Sequence, residues 1–471
     1  MEEIMGILNY LDDVMYYPIL VVVLLIAGFY FTVKTEFIQL RMLRECIRVV
    51  LEKPKGKDQV SSFQALMVST ASRVGTGNII GVSTAICLGG PGAVFWMWMI
   101  ALIGGATAFI ESTLAQIYKR RSKAGLSYGG PAYYIETALK NRTVASAFAV
   151  CLILTYAGGF NLLCSYNLQS TFEAYHFYDP VTSPWIIGAI EAALVGYCLM
   201  GGGRRIIQMT SVMVPLMGAV YILAALLTIG LNVSYLPTMF QLIFADAFDF
   251  QAILGGIGGS CLMYGVKRGL FSNEAGIGSA PNAAASADVT HPVKQGLVQM
   301  LSVFIDTLLV CTATAFMCLA SGVPITKDVA GALYVQNAVS TVFGEFGPIF
   351  ITVCMILFAF TTLIGNLYYV DNNISFLHKG EVGPKATVIF RSLCVVIIFV
   401  GAGLSMAAAW AIADILMAFM ALINIPSIMI LGNIAVKAMK DYEAQKREGK
   451  NPVFIARKIG LAEEGLDFWK E

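Results

Sequence analysis

Gly269-Leu270-Phe271-Ser272-Asn273-Glu274-Ala275-Gly276-Ile277-Gly278-Ser279 interrupts one membrane-length hydrophobic segment of this chain, and Ser72-Arg73-Val74-Gly75-Thr76-Gly77-Asn78-Ile79 interrupts another. A helix that stops halfway across a bilayer leaves amides and carbonyls without partners. In lipid each orphan group costs several kcal/mol, so such breaks persist only where they line a cavity or bind something. Paired breaks in the two halves of a chain point to the binding site of a transporter.

The rest of the composition agrees with a membrane setting. The 471 residues are 57% hydrophobic and only 13% charged, with a mean hydropathy of +0.73. Soluble domains carry about 25% charged residues. A net charge of +1 without a basic face argues against nucleic acid as a partner. The ten cysteines have no CxxC spacing and read as small hydrophobes rather than as a metal site or disulfide framework. His176, His291 and His378 stand apart near span ends, with no HExxH arrangement, so an intramembrane enzyme is not expected. The acidic N-terminus (Glu2, Glu3, Asp12, Asp13) does not resemble a secretory signal.

Hydropathy places eleven spans at about 16–34, 61–89, 92–118, 143–175, 184–200, 206–231, 252–288, 294–320, 346–376, 386–402 and 406–436. If they alternate, 26 of the 31 lysines and arginines fall on one side and only Lys327 on the other. The positive-inside rule then puts the N-terminus outside and the C-terminus in the cytoplasm of a multi-pass plasma-membrane protein. The basic 34–58 stretch reads as a loop lying near anionic lipid.

With the first helix set aside, ten spans remain. The span at 61–89 starts inside and the one at 252–288 starts outside, so two sets of five are inverted relative to each other. The expected organisation is an N-terminal helix and basic loop (1–60), a first five-helix repeat (61–231), an inverted second repeat (252–436) and a cytoplasmic, partly helical tail (437–471). Gly255, Gly256, Gly258 and Gly259, just outside the second break, are expected flexing points for an outer gate. Half-helix N-termini suit a carboxylate, and half-helix C-termini with free carbonyls suit a cation. A solute with a carboxylate moving with a cation fits an amino acid.

At these residues the chain resembles the alanine or glycine:cation symporter family. The likeness rests on Gly75-Thr76-Gly77-Asn78-Ile79, on 89–98 (GGPGAVFWMW), on 128–135 (YGGPAYYI) and on 265–282 (GVKRGLFSNEAGIGSAPN). It implies an all-α, leucine-transporter-like fold and uptake of a small neutral amino acid coupled to sodium, or in some members to protons, with no resident cofactor. It further implies that Thr76, Gly77 and Asn78 meet the substrate's charged groups, that Phe271, Ser272, Asn273 and Gly276 form the opposite wall, and that Gln169 is a polar pocket residue. Gly75, Asn78, Thr361 and Thr362 would hold sodium. The family usually has a tryptophan after Ile-Gly, where this chain has Asn366. If that position lines the pocket, the cavity is larger and more polar, with room for serine or glutamine.

The remaining membrane charges have two readings each. Glu274 is either functional or ion-paired with Lys267 or Arg268. Arg73 is a gate or ion-pair residue with Asp306, Glu111 or Asp371 as possible partners, and Glu274 or Asp306 would titrate if protons drove transport. An ion channel is the alternative of another class, although nothing resembles the repeated loops of a selectivity filter.

Overall fold

The computed structural model describes residues 2–54, 56, 59–123, 125–200, 202–249, 251, 253, 260–380 and 382–470. The four glycines expected to flex the outer gate lie outside these residues. The chain begins with α1 (Glu2–Val14), a π-helical turn at Met15–Leu20 and α2 (Val21–Lys34). The first interrupted segment is α3 (Ser62–Arg73) followed by α4 (Gly77–Gly89). Then come α5 (Ala93–Ile117), α6 (Arg142–Ala174), α7 (Ser183–Leu199) and α8 (Gly202–Leu231).

A peripheral helix α9 (Leu236–Ala247) precedes the second interrupted segment, α10 (Cys261–Asn273) and α11 (Pro281–Ala284). After it follow α12 (Val293–Ala320), α13 (Ala332–Phe343), α14 (Phe346–Leu377), α15 (Pro384–Gly401) and α16 (Met406–Arg447). Seven of these helices are long and apolar enough to cross a membrane, and Val21–Lys34, Gly77–Gly89 and Ser183–Leu199 are shorter apolar helices. Neither α9 nor α13 was expected from hydropathy.

Local sequence explains where the broken helices start and stop. Ser61 and Gln64 form a reciprocal capping box that opens α3, satisfying two of its orphan amides. The helix ends where Val74 turns to ψ 88°. Ser260 caps α10 by accepting from the Met263 amide, and Glu274 terminates it in the left-handed region at φ 55°. A non-glycine residue there costs about 1–2 kcal/mol, so something must hold Glu274 in place.

Close approach brings the broken helices against their neighbours. A Cβ on Gly365 would lie 2.8 Å from the Ser72 amide nitrogen, and one on Gly265 would lie 2.6 Å from the Ala93 carbonyl. Small residues thus let α14 meet α3 and α10 meet α5 backbone to backbone. At the α3 entrance, Val60 pairs with Ala287 in a parallel bridge, and the Asp288 amide donates to the Val60 carbonyl at 2.9 Å. The start of the first interrupted segment and the end of the second are therefore fastened to each other.

The 42 residues of α16 extend about 60 Å at 1.5 Å per residue, twice a hydrocarbon core of about 30 Å. The helix therefore continues past 436, its expected end, into the tail. Beyond it the chain folds back. The Phe454 amide donates to Thr290 O at 3.0 Å, and Trp469 Nε1 donates to Gln116 O at 2.8 Å. Lys119, just past α5, donates to Ala287 O at 3.0 Å under the rings of Phe468 and Trp469. Burial lowers its amine to about 7.

Candidate functional site

Gly75 leaves the helical path after α3, and its amide donates to Asn78 Oδ1 at 2.8 Å. The chain resumes as a π-helical turn at Gly77–Gly81, a half-helix N-terminus at which the Asn78 amide donates to the Gly75 carbonyl at 3.2 Å. A Cβ on Gly77 would sit 2.5 Å from Phe271 Cε1; the aromatic ring of α10 lies directly over this terminus. Phe271 also meets Phe160 and Trp410 edge to face, each at 4.9 Å between ring centres.

The second break is fastened by side chains. The Gly276 amide donates to Glu111 Oε1 at 3.3 Å. Asn424 Nδ2 donates to Gly276 O at 2.9 Å and to Glu111 Oε2 at 2.8 Å, and the Tyr134 hydroxyl donates to Asn424 Oδ1. Glu274 accepts from Ser279 Oγ at 2.6 Å and stands 3.8 Å from Arg73 Nε, which accounts for its left-handed backbone being held.

Asp306 joins the two breaks. It lies in the π-helical turn Phe304–Cys311 of α12. Its carboxylate accepts from Asn78 Nδ2 at 2.7 Å, Ser272 Oγ at 2.7 Å and Thr307 Oγ1 at 2.8 Å. The Asn78 carbonyl in turn accepts from Thr314 Oγ1 at 2.7 Å. A buried carboxylate flanked by two hydroxyl oxygens, those of Ser272 and Thr307, offers the hard-oxygen chemistry that small cations prefer. A second oxygen cluster lies at the end of α3, where Thr362 Oγ1 donates to Ala71 O at 3.3 Å, and a Cβ on Gly75 would overlap that hydroxyl at 2.0 Å.

Ion pairs close the site above and below. On one side Arg268 reaches Asp414 through both terminal nitrogens, at 3.3 and 3.0 Å, and its guanidinium lies 3.7 Å over the Trp410 ring. Next to it Lys267 pairs with Asp12 of α1 at 2.7 Å. These residues line a cavity of about 510 Å³ outside the closure. Toward the other end lies the Arg73–Glu274 pair. Ser72, Arg73, Gly75, Thr76, Gly77, Phe160, Cys164, Phe271, Glu274 and Thr362 enclose a space of only about 10 Å³, about what a single water needs.

The structure therefore brings Thr76, Gly77, Asn78, Phe271 and Ser272 together, and places others differently from expectation. Gln169 bonds Tyr178 at 2.7 Å; Asn167, on the same helix, reaches Thr76 Oγ1 at 3.0 Å instead. Asn366 stands one layer behind the cavity, accepting from Ser72 Oγ at 2.7 Å and donating to Asn161 Oδ1 at 3.0 Å. Asn273 turns its Oδ1 back to the Ala275 amide.

Asn78 and Thr362 fall in separate oxygen clusters. Thr361 bonds carbonyls of its own helix, Leu357 and Phe358. Neither Lys267 nor Arg268 pairs with Glu274, because both sit on α10 facing α1 and α16 while Glu274 lies beyond the helix end. Arg73 takes Glu274 rather than Asp306, Glu111 or Asp371; Asp371 pairs with Arg391 at 2.8 Å.

Sequence reasoning missed Trp410 as a gate residue and Glu111 and Asn424 as fasteners. Trp410 and Asp414 do stand four apart in one span, a spacing that puts them on one helix face.

A model of the sodium:alanine symporter family matches residues 1–456. The chain is 41% identical over 471 residues to the "Probable sodium/glutamine symporter GlnT" of Bacillus subtilis (strain 168), covering 100% of this chain and 96% of that protein. It is 34% identical over 461 residues to the "Sodium/alanine symporter AgcS" of Methanococcus maripaludis, covering 95% and 100%. The crystal structure of MhsT in complex with L-phenylalanine superposes with a TM-score of 0.54 at 16% identity, over 87% of this chain and 94% of that one. That likeness shows a leucine-transporter-like fold.

Proposed function

This chain belongs to the sodium:alanine symporter family, and from that premise we propose that it carries a small neutral amino acid into the cell together with sodium by alternating access. It is a multi-pass membrane transporter and not an enzyme. The observation that carries the mechanism is the small cavity between the two breaks with an ion pair on either side, Arg268–Asp414 and Arg73–Glu274. A carrier needs a site that can be shut on both faces; a channel needs a continuous path.

In this reading eleven crossings leave the N-terminus outside and the C-terminus in the cytoplasm, and the halves 61–231 and 252–436 rock about the breaks. The substrate carboxylate goes to the Thr76–Gly77 end of α4 once Phe271 swings away, which lets the half-helix dipole act on it. Sodium enters one or both oxygen clusters, Asp306 with Asn78 and Ser272, and Thr362 with Gly75 and Ala71. One positive charge moving inward gains about 2.3 kcal/mol per 100 mV.

Alanine, glycine and serine fit the smallest enlargement of the cavity. Glutamine requires Ser72 and Asn366 to yield, since Asn366 acts on the pocket through Ser72. Uptake of radiolabelled amino acids into proteoliposomes, with and without a sodium gradient at fixed pH, tests the proposal. Uptake that ignores sodium and follows a proton gradient would move the coupling to the buried carboxyl of Asp306 or Glu274.

A further inference from the structure

Arg73 and Glu274 are the only ion pair among the described residues that forms part of the central cavity wall. One closes the end of α3 and the other opens the second break, so the pair ties the two interrupted segments together at the level of the substrate site. It is loosely made. The nitrogen–oxygen distance is 3.8 Å, with both side chains at most 1% exposed. Arg73 Nη1 reaches only the Gln299 carbonyl, at 3.4 Å. Its Nε and Nη2 make no hydrogen bond, and neither does either side-chain polar atom of the neighbouring Gln299. A buried guanidinium with two nitrogens, and so three N–H donors, left without a hydrogen bond, beside an enclosed space, is a built receptor for an anionic group.

Resting on the amino-acid reading above, we propose that Arg73 and Glu274 form an exit-side station for the zwitterion, opened by exchange: the substrate's carboxylate takes Arg73 and its ammonium takes Glu274. The reason is electrostatic. Separating a buried pair leaves two uncompensated charges in a low-dielectric site, a strongly unfavourable state. A solute bearing both charges replaces each partner at once, so the net buried charge does not change. An amine alone, a carboxylate alone or sodium alone leaves one member bare. The floor therefore opens for an amino acid and stays shut for its fragments, which also limits sodium leaking without substrate.

The same exchange explains why the guanidinium is under-bonded. A tight bidentate pair would match the geometry of Arg–carboxylate recognition already and would resist substitution. Ser279, which donates to Glu274 at 2.6 Å, keeps the carboxylate oriented when Arg73 turns away from it.

The test uses full-length protein in proteoliposomes. Single variants such as Glu274→Gln leave Arg73 buried without a counter-charge and are open to misfolding, so the decisive variant is the charge-neutral double, Arg73→Gln with Glu274→Gln. Three readouts apply: sodium-driven amino-acid uptake, radiolabelled sodium uptake without amino acid, and inhibition by the substrate's carboxylic acid and amine fragments. The double variant is expected to leak sodium about ten-fold faster than the parent and to lose most of its preference for the zwitterion over the fragments. A purely structural pair lowers yield and uptake without changing either ratio, and that outcome overturns the proposal, as does a double variant with parental coupling and selectivity. Parent protein that shows no sodium-driven uptake refutes the transport reading instead.

Discussion

Replacing Arg268 by glutamine should open the outer face of the protein. In the closed arrangement Arg268 and Asp414 are 5% and 1% exposed and 3.0 Å apart, so solvent screens the pair little. The substitution strands the Asp414 carboxylate, and removing one member of a buried pair costs about 3–5 kcal/mol. The lost stack on Trp410 adds about 0.5–2 kcal/mol. An open arrangement hydrates Asp414 and escapes these costs. Allowing for residual attraction from Lys267, the open state gains about 3 kcal/mol, roughly a hundred-fold in population.

Thr76 lines the enclosed space behind this pair and is 2% exposed. In a Thr76→Cys background, labelling by an uncharged, membrane-impermeant maleimide should therefore speed up by a factor approaching 100 when Arg268→Gln is added. The parent protein's own free cysteines supply the blank. The pair Arg268→Met with Asp414→Leu, which leaves no stranded charge, should bring labelling back toward the slow rate. An Arg268→Gln rate within two-fold of the background would refute the idea that this pair holds the outer face shut.

Gly75→Ala places a Cβ 2.0 Å from Thr362 Oγ1 and 3.2 Å from its Cβ. It should lower thermal stability by about 1–3 kcal/mol, and adding Thr362→Ala should recover part of the loss in melts of the purified protein. Asp306→Asn keeps the shape but offers a donor where the carboxylate now accepts three hydrogen bonds; the sodium concentration for half-maximal uptake should rise about ten-fold or more at fixed pH, a loss of about 1.4 kcal/mol in cation binding. His291 sits outside the spans, buried against Asp441 at 3.2 Å. Burial lowers its pKa from 6.5 although Asp441 pulls the other way. The unfolded chain then binds the proton more readily, so His291 contributes stability above about pH 6.5 that is lost as pH falls through the depressed folded value. Melting temperature followed between about pH 5 and 8 should fall on the acid side, and His291→Gln should flatten that limb.

Much of this architecture was legible because glycines and polar residues punctuate otherwise apolar runs. Both breaks fall within the quoted stretches, and the Trp410–Asp414 spacing was present to be read. What failed was rotation and partner choice. Asn167 and Gln169 are two residues apart and therefore face about 200° apart on a regular helix, and the π-helical turn at Leu154–Gly159 rotates everything after it by part of a turn. Nothing in the residue order announces that turn, so it does not show that Asn167 rather than Gln169 is the amide that reaches Thr76. The same holds for Asp306, carried on another π-helical turn. Arg73 had several membrane carboxylates within plausible reach, and only the packing of α3 against the second break selects Glu274. Asn366, standing where the family usually has tryptophan, enlarges the cavity only if its position lines it, yet Gly365 lets α14 come so close to Ser72 that the amide bonds behind it.

The two breaks are not equivalent, and that inequality can be measured. Around the second break, Asn424 Nδ2 serves both Gly276 O and Glu111 Oε2, while its Oδ1 accepts from Tyr134. Asn424→Leu leaves three buried polar groups short of a partner, each worth about 1–3 kcal/mol when unsatisfied, so the loss is on the order of 3 kcal/mol or more. The α4 terminus is held through Asn78, which binds the Gly75 amide and Asp306, but over Gly77 itself lies only the aromatic ring of Phe271, which a solute can displace. If the second break is a fixed joint and the first a docking end, amino acid and sodium should stabilise the parent and Asn424→Leu proteins by the same increment, since neither ligand reaches Gly276 or Asn424. The melting point of the variant should then be low with and without ligand. A variant as stable as the parent, or one rescued fully by substrate, would mean that the groups of the second break take part in binding after all.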